Sequence, residues 1–459
     1  MERYSIHEGS SSQVKSRQNL SIGIVSLGCP KTLVDSEVIL GKARGAHFSI
    51  TQDIEKSDIV LLNTCGFIRD AKEESIDALL KLLELKKEKK LLGVIVVGCL
   101  VQRYAGELQK EFPEVDAFVG SGDYKRIAEV LKKVADGKKF ITVHKAGYLA
   151  NSDEARVPLT PSHSRYLKIS EGCDHTCSFC VIPKLRGRYR SRHIADLVKE
   201  AKQLADEGAK ELVVIGQDIT KFGCDYARRS LLPELLQALS VVRDVRWMRL
   251  LYTYPSTLSD NIIQAIARSK KVCRYIDLPL QHISDKILRS MRRGGTKKQI
   301  TELIRKLRVM IPGVVIRTSF IVGFPGETER DFEELLEFMR ETKFERLGIF
   351  RYSREEGSAA AEFPDQVPEP VKEERYHRAM QLQQEIVREV NRRYIGEELR
   401  VLIESGDSEK AGWWAGRSAM DAPEIDGSVL VKSRKALEPG KFYTVKITDT
   451  QDYDLLGQI

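Results

Sequence analysis

The chain has 459 residues, 42% hydrophobic and 31% charged, more than one ordinary core accommodates, so about two to four domains are expected. No apolar run reaches the length of a membrane span, and residues 1–18 are polar and serine-rich without the apolar stretch of a secretory signal, which leaves residues 1–19 as a disordered tail. Eight grouped cysteines argue against a disulfide scaffold and for metal binding in a reducing compartment, the cytoplasm; the net charge of +8 suggests an acidic partner or a nucleic-acid-rich environment, but only weakly.

From Leu20 onward, strand-length apolar runs alternate with amphipathic helices. Ile22-Gly-Ile-Val-Ser-Leu27 leads to Cys29, Ile59-Val-Leu-Leu-Asn63 to Cys65, and Gly93-Val-Ile-Val-Val97 to Cys99. A helix is expected over residues 71–90, its basic end suiting the helix dipole. Such alternation builds a parallel sheet with helices on both faces, whose strand carboxyl ends share one edge. Three cysteines, each following a strand, should therefore converge there. Asp35-Ser36-Glu37 reads as a helix start with a capping role. The first domain is placed at 20–137, followed by a polar, proline-containing linker at 138–158.

A second domain, 159–392, shows six strand-like runs at 166–170, 211–216, 247–252, 275–280, 314–322 and 347–352. Helices are expected between them at 193–207, 231–242, 297–310 and 329–341, and six such units suit a partial barrel with chemistry at the strand carboxyl ends. After the first strand comes Cys173-Asp-His-Thr-Cys177-Ser-Phe-Cys180. Three thiolates at this spacing can each hold one iron of a four-iron, four-sulfur cluster and leave the fourth iron open; a structural zinc knot, which closes its shell with four ligands, is the alternative, with His175 as the nearby fourth donor. Gly216-Gln217, Gln281-His282 and the segment Val322-Gly-Phe-Pro-Gly-Glu-Thr328 fall on the same rim, where they read either as turn chemistry or as cofactor contacts. Four arginines in Arg186-Gly-Arg-Tyr-Arg-Ser-Arg192 read first as solvated loop charge and second as a cofactor or substrate contact; Cys224 and Cys273 read as ordinary cysteines.

A long charged helix over 369–393 leaves the barrel. Beyond it, runs at 399–404, 427–431 and 442–447, separated by glycine and acidic turns, suit a small five-stranded antiparallel barrel at 395–459. Residues 393–459 carry 9 Lys and Arg against 12 Asp and Glu, net −3, which is a poor device for gripping phosphates. Of Trp413 and Trp414, at least one reads as core.

From about Leu20 onward the chain resembles the methylthiotransferases among the radical S-adenosylmethionine (SAM) enzymes. The resemblance implies an α/β first domain, a (βα)6 TIM-like radical SAM barrel and a C-terminal TRAM domain. It implies that Cys173, Cys177 and Cys180 hold a radical cluster whose open iron chelates SAM, giving a deoxyadenosyl radical. Cys29, Cys65 and Cys99 then hold a second, auxiliary 4Fe-4S cluster that carries sulfur. Candidate SAM contacts are Gly216, Gln217, Gln281, His282 and Arg317. Ser26-Leu-Gly-Cys-Pro-Lys31, Arg317-Thr-Ser-Phe-Ile-Val-Gly323, Pro279-Leu-Gln-His-Ile-Ser284 and Asp421-Ala-Pro-Glu-Ile-Asp-Gly427 resemble the branch that modifies an aspartate of the twelfth small-subunit ribosomal protein. Thr32 and Phe222 depart from the asparagine and tyrosine usual there, which argues against roles for those two side chains. The expected partners are that basic ribosomal protein, an electron donor and the ribosome, with no membrane. A tRNA adenosine methylthiotransferase is the alternative within the class; a metal-stabilised RNA-binding protein without catalysis is the alternative outside it.

Overall fold

The computed structural model describes residues 20–406 and 410–459; the tail expected at 1–19 lies outside the described residues. The first domain is a wholly parallel sheet of β1 (Ser21–Ser26), β2 (Ser49–Ile50), β3 (Ile59–Thr64), β4 (Gly93–Gly98), β5 (Ala117–Gly120) and β6 (Phe140–Thr142), ordered β2-β1-β3-β4-β5-β6. Helices α1 (Pro30–Gly45), α2 (Arg69–Lys87), α3 (Cys99–Glu111) and α4 (Ile127–Ala135) connect these strands. Both α1 and α4 pack on one face around Ile22, Ile59 and Ile95, whereas α2 and α3 pack on the other around Val60, Leu62 and Val94. Covered from both sides, β3 and β4 are buried at every position, which is why they read as unbroken apolar runs.

Three strands were legible in the sequence; β2, β5 and β6 join them as short additions. The last of these lies inside the stretch expected to be linker, because Phe140-Ile-Thr is enough to pair with β5 as an edge strand. The rest of that stretch is no loose tether. Val157 and Leu159 pack against the first-domain core, and Arg156 sits between Glu37 of α1 and Glu200 of the second domain.

In the second domain, β7 (Ser164–Lys168) is followed by the short antiparallel pair β8 (Ser170–Glu171) and β9 (Arg190–Ser191). Then come β10 (Glu211–Ile215), β11 (Trp247–Leu250), β12 (Val272–Asp277), β13 (Val315–Val322) and β14 (Arg346–Arg351). The main sheet runs β14-β13-β12-β11-β10-β7, all parallel and open between its first and last strands, the six-unit partial barrel expected. Helices cover its convex face. Two of them, Lys297–Met310 and Glu329–Thr342, begin with reciprocal capping boxes at Thr296/Gln299 and Thr328/Asp331. The concave face is not empty: Tyr166, Val213, Trp247, Tyr275 and Val315 pack there with Val34 of α1 and with Leu402 and Ala422 of the last domain.

After the helix Glu369–Arg392, a closed barrel forms from β15 (Glu398–Gly406), β16 (Trp413–Ser418), β17 (Val429–Lys432), β18 (Phe442–Gln451) and β19 (Asp454–Gln458), ordered β15-β16-β17-β19-β18. The expectation of a purely antiparallel barrel needs correction. Strand directions cannot alternate all the way around a ring of five, so one neighbouring pair must be parallel, and that pair is β17 with β19. Trp413 and Trp414 are both half-buried, with Trp414 against the barrel core.

This barrel plugs the amino-terminal end of the second domain. Glu211, at the start of β10 and fully buried, accepts from Arg249 Nε (2.8 Å) and from Arg417 Nη2 of β16 (2.6 Å). Arg346 pairs with Asp421 (Nε 3.0 Å), and Tyr275 Oη donates to Asp426 (2.6 Å). Asp421 and Asp426 belong to a segment singled out in the sequence, and their acids face inward to hold two domains together.

Glu211→Ala strips two buried guanidiniums of their shared acceptor and should cost about 3–5 kcal/mol, read as a lower melting temperature and as protease release of the last domain. Burial opposes the Glu211 charge, but Arg249 and Arg417 outweigh it and hold the carboxyl at about 2. A folded value below the unfolded one means that its stabilisation is complete above the ordinary glutamate value, roughly pH 4.3. It should fade as pH falls from there through about 2 in wild type, a loss that acid titration should not show in the Glu211→Ala protein.

Candidate functional site

Cys29 caps the start of α1, Cys65 follows β3, and Cys99 opens α3 after β4. Because β1, β3 and β4 are neighbours, the three thiols meet at one carboxyl edge, as expected for ligand sites in such sheets. Two glycines make the approach close enough. A Cβ on Gly28, whose φ is +93°, would lie 2.9 Å from Cys65 Cβ, and one on Gly66 would lie 2.8 Å from the Leu100 backbone and 2.9 Å from that of Cys99. Thr32, whose departure from asparagine argued against a role, does serve here: its hydroxyl donates to the Cys29 carbonyl (2.6 Å) and lies 3.6 Å from Cys29 Sγ. Phe222 is simply core.

The three thiols are not electrostatically alike. Burial pushes Cys29 up, yet the Lys31 ammonium, the Arg186 guanidinium and the Thr32 hydrogen bonds outweigh it, so its pKa falls below the ordinary thiol value. Burial dominates at Cys65, pushed up to about 12, and at Cys99, which is raised despite Arg186.

The second trio lies on the loop after β8. The Cys180 amide donates to the Cys177 carbonyl (3.1 Å), and the His175 amide points at Cys173 Sγ (3.4 Å). The His175 ring is engaged elsewhere: Nε2 lies 2.7 Å from Asp218 Oδ2, and the imidazole stacks on Tyr254 at 3.7 Å. Arg293 covers the Tyr254 ring at 3.8 Å and donates toward Cys177 Sγ at 3.7 Å. Burial raises Cys173 to about 11 and Cys180 to about 12. Among the described residues no three His, Cys, Asp or Glu side chains converge tightly enough for a single ion.

Of the candidate cofactor contacts, Gly216 and Gln217 adjoin this loop. A Cβ on Gly216 would lie 2.4 Å from Ser170 Oγ; Gln217 donates to Glu171 Oε1 and keeps a buried Oε1 without a partner. Gln281, at φ +76°, is pinned to β13 through its backbone, donating to Ser319 O (2.8 Å) and accepting from Ile321 N (2.7 Å). His282 is wholly buried, with Nδ1 accepting from the Ser284 amide (3.0 Å) and Nε2 3.6 Å from Glu327. Arg317 lies below the rim, third in β13, paired with Asp277 (2.8 Å) and Asp426 (3.5 Å) at the contact with the last domain.

What sequence reasoning missed is the link between the two trios. Asp35 and Glu37 are not caps: they lie inside α1, buried, and face the second domain. Asp35 pairs with Lys168 and with Arg186 Nη1 (2.5 Å), Lys168 reaches Glu171 (2.9 Å), and Arg186 Nε donates to Cys99 Sγ (3.2 Å). Arg192 is likewise buried, on Glu200 and Asp196, so solvated loop charge describes only Arg188 of the four arginines. Cys99 also packs with Phe67, Val181 and Leu185, and Val181 is the residue after Cys180. Both trios therefore border one seam. The signal available in the sequence was the number of ionisable residues flanking both sets of cysteines.

Family models match residues 21–120 (Uncharacterized protein family UPF0004), 167–339 (Radical SAM superfamily) and 395–459 (TRAM domain). The chain is 48% identical to a ribosomal protein uS12 methylthiotransferase RimO of Pelotomaculum thermopropionicum, covering 96% of this chain and 99% of that one. It is 45% identical to the protein of the same name from Clostridioides difficile, over 96% and 99%. Among solved structures, the radical S-adenosylmethionine methyltransferase TsrM of Kitasatospora setae superposes with TM-score 0.57 at 14% identity, over 85% of this chain and 79% of that one, a likeness of fold.

In the iron-free protein, iodoacetamide near neutral pH should alkylate Cys29 ahead of Cys65 and Cys99, since only its thiol is shifted toward the thiolate. Lys31→Met should slow that reaction several-fold, as followed by peptide mass spectrometry.

Proposed function

The chain belongs to the ribosomal protein uS12 methylthiotransferase family, and on that premise we propose that it attaches a methylthio group to the β-carbon of an aspartate in uS12, the twelfth small-subunit ribosomal protein. The carrying observation is that two cysteine trios border one seam, because sulfur insertion requires the radical and the sulfur source to share a target. That β-carbon is neither acidic enough for a base nor electrophilic enough for a nucleophile, so a cofactor must supply the reactivity. When bound, two 4Fe-4S clusters and SAM supply a hydrogen-abstracting carbon radical together with the sulfur and the methyl group.

The residues fit these groups. Cys173, Cys177 and Cys180 would hold one cluster, and Cys29, Cys65 and Cys99 the other, each trio leaving one iron to an outside ligand. Gly216 leaves clearance beside Ser170, and the unpartnered Gln217 Oε1 offers an acceptor to an amino group; these two are the SAM contacts we favour. The Tyr254 ring, pressed between His175 and Arg293, fixes the Cys177 side of its loop. Phe67, Val181 and Leu185 keep water from the seam.

A basic protein substrate suits the last domain. Its Asp421 and Asp426 face inward, but Glu397, Glu398, Glu424 and Glu438 remain exposed. An electron donor, association with the ribosome and a cytoplasmic location complete the proposal; among the described residues no helix is long and apolar enough to cross a membrane.

Anaerobically reconstituted protein should hold about eight irons per chain, as two four-iron clusters; zinc without iron would overturn the reading. Cys177→Ala should retain about half of that iron while losing SAM cleavage, and loss of both clusters would contradict two separate sites. For the substrate, uS12 from a strain lacking the gene should lack its methylthio mass by mass spectrometry while tRNA is unchanged. Loss from tRNA alone would overturn the assignment.

A further inference from the structure

We propose that Arg186, contributed by the second domain, is a positioning residue for the first-domain trio, its guanidinium holding the Cys99 sulfur and stabilising negative charge there. The inference rests on the two-cluster reading above. Arg186 is buried, with 4% of its surface exposed, and its fork is divided: Nε donates to Cys99 Sγ at 3.2 Å, while Nη1 faces Asp35 at 2.5 Å and Glu171 at 3.4 Å. The ion network alone does not require the sulfur contact. Asp35 and Glu171 are matched in charge by Lys168 and Arg186, and Lys168 already touches both carboxylates. A lysine could balance that charge equally well; only a rigid, multi-donor guanidinium can do so while presenting a further N–H to sulfur.

The placement has a second consequence. Hydrogen bonds to cluster sulfurs and nearby charge set how readily a cluster accepts an electron. Arg186 meets Cys99 on one side and Glu171, two residues before Cys173, on the other. The first-domain site is thus finished by the second domain, and its electron affinity depends on the two being docked.

The test is a potentiometric titration of the full-length reconstituted protein with dithionite, followed by electron paramagnetic resonance. Each reduction adds one electron, drawn from dithionite, and breaks no bond. In a Cys177→Ala background the signal belongs to the first-domain cluster, and in a Cys99→Ala background to the radical-loop cluster. Arg186→Lys should keep the iron content and disfavour reduction of the first cluster at least tenfold, about 59 mV for one electron, with the second unmoved. No shift, or equal shifts in both, would overturn the proposal. If Arg186→Lys does not fold, Asp35→Asn removes a nearby negative charge but leaves the donor, and should make reduction of the first cluster easier; a shift in the other sense, or none, would count against Arg186. A Cys177→Ala protein that binds no iron at all would sink the two-site reading, and this proposal with it.

Discussion

A charge taken out of water must be matched by another, and between the first and second domains four side chains meet that demand only together. Asp35 comes from α1, Lys168 from β7, Glu171 from β8, and Arg186 from the end of the short helix Ile182–Arg186 beyond the second trio. Removing any one leaves an uncompensated buried ion, the costly case, whereas the intact set gains little net stability over an apolar seam of the same volume. What the set fixes is orientation. Its members lie beside Cys99 and two residues before Cys173, so satisfying the ions sets the relation between the two groups of thiols.

The same logic explains how an open six-stranded sheet is completed. On the β7 side the first domain offers Asp35 and Val34; on the β14 side, Lys72 and Arg103 both reach Glu355. One domain thereby spans the gap between the first and last strands. At the opposite end, Glu211 draws in Arg417, and Trp247 meets Phe442 edge to face at 4.7 Å, so the last barrel stops the bottom of the sheet. The carboxyl ends, with both sets of cysteines, are left as the face for chemistry.

The elements were legible to the degree that their signals are local. The six cysteines stand out because residue type and position after a strand coincide, and most second-domain strands and helices are legible as apolar runs of strand length alternating with helical stretches. Arg186 is not, since four arginines in seven residues look alike until burial tells them apart. Asp35 and Glu37 looked like caps because acids near a helix start usually are; their partners lie more than a hundred positions away. Arg317 is a candidate SAM contact by resemblance alone, and no local signal foretells that its position in β13 pairs it with Asp277 and Asp426. The parallel β17–β19 pair follows from ring closure, which no local stretch encodes.

The distance along the chain between Asp35 and Arg186, 151 positions, has a bearing on biosynthesis. At roughly 5–20 residues per second, the ribosome emits the first domain many seconds before the guanidinium that answers its acid. Throughout that interval the nascent α1 carries carboxylates still in water, and the Cys99 thiol lacks its neighbour. Final closure of the seam is thus a late event, completed only once translation has passed the second domain's cysteine loop.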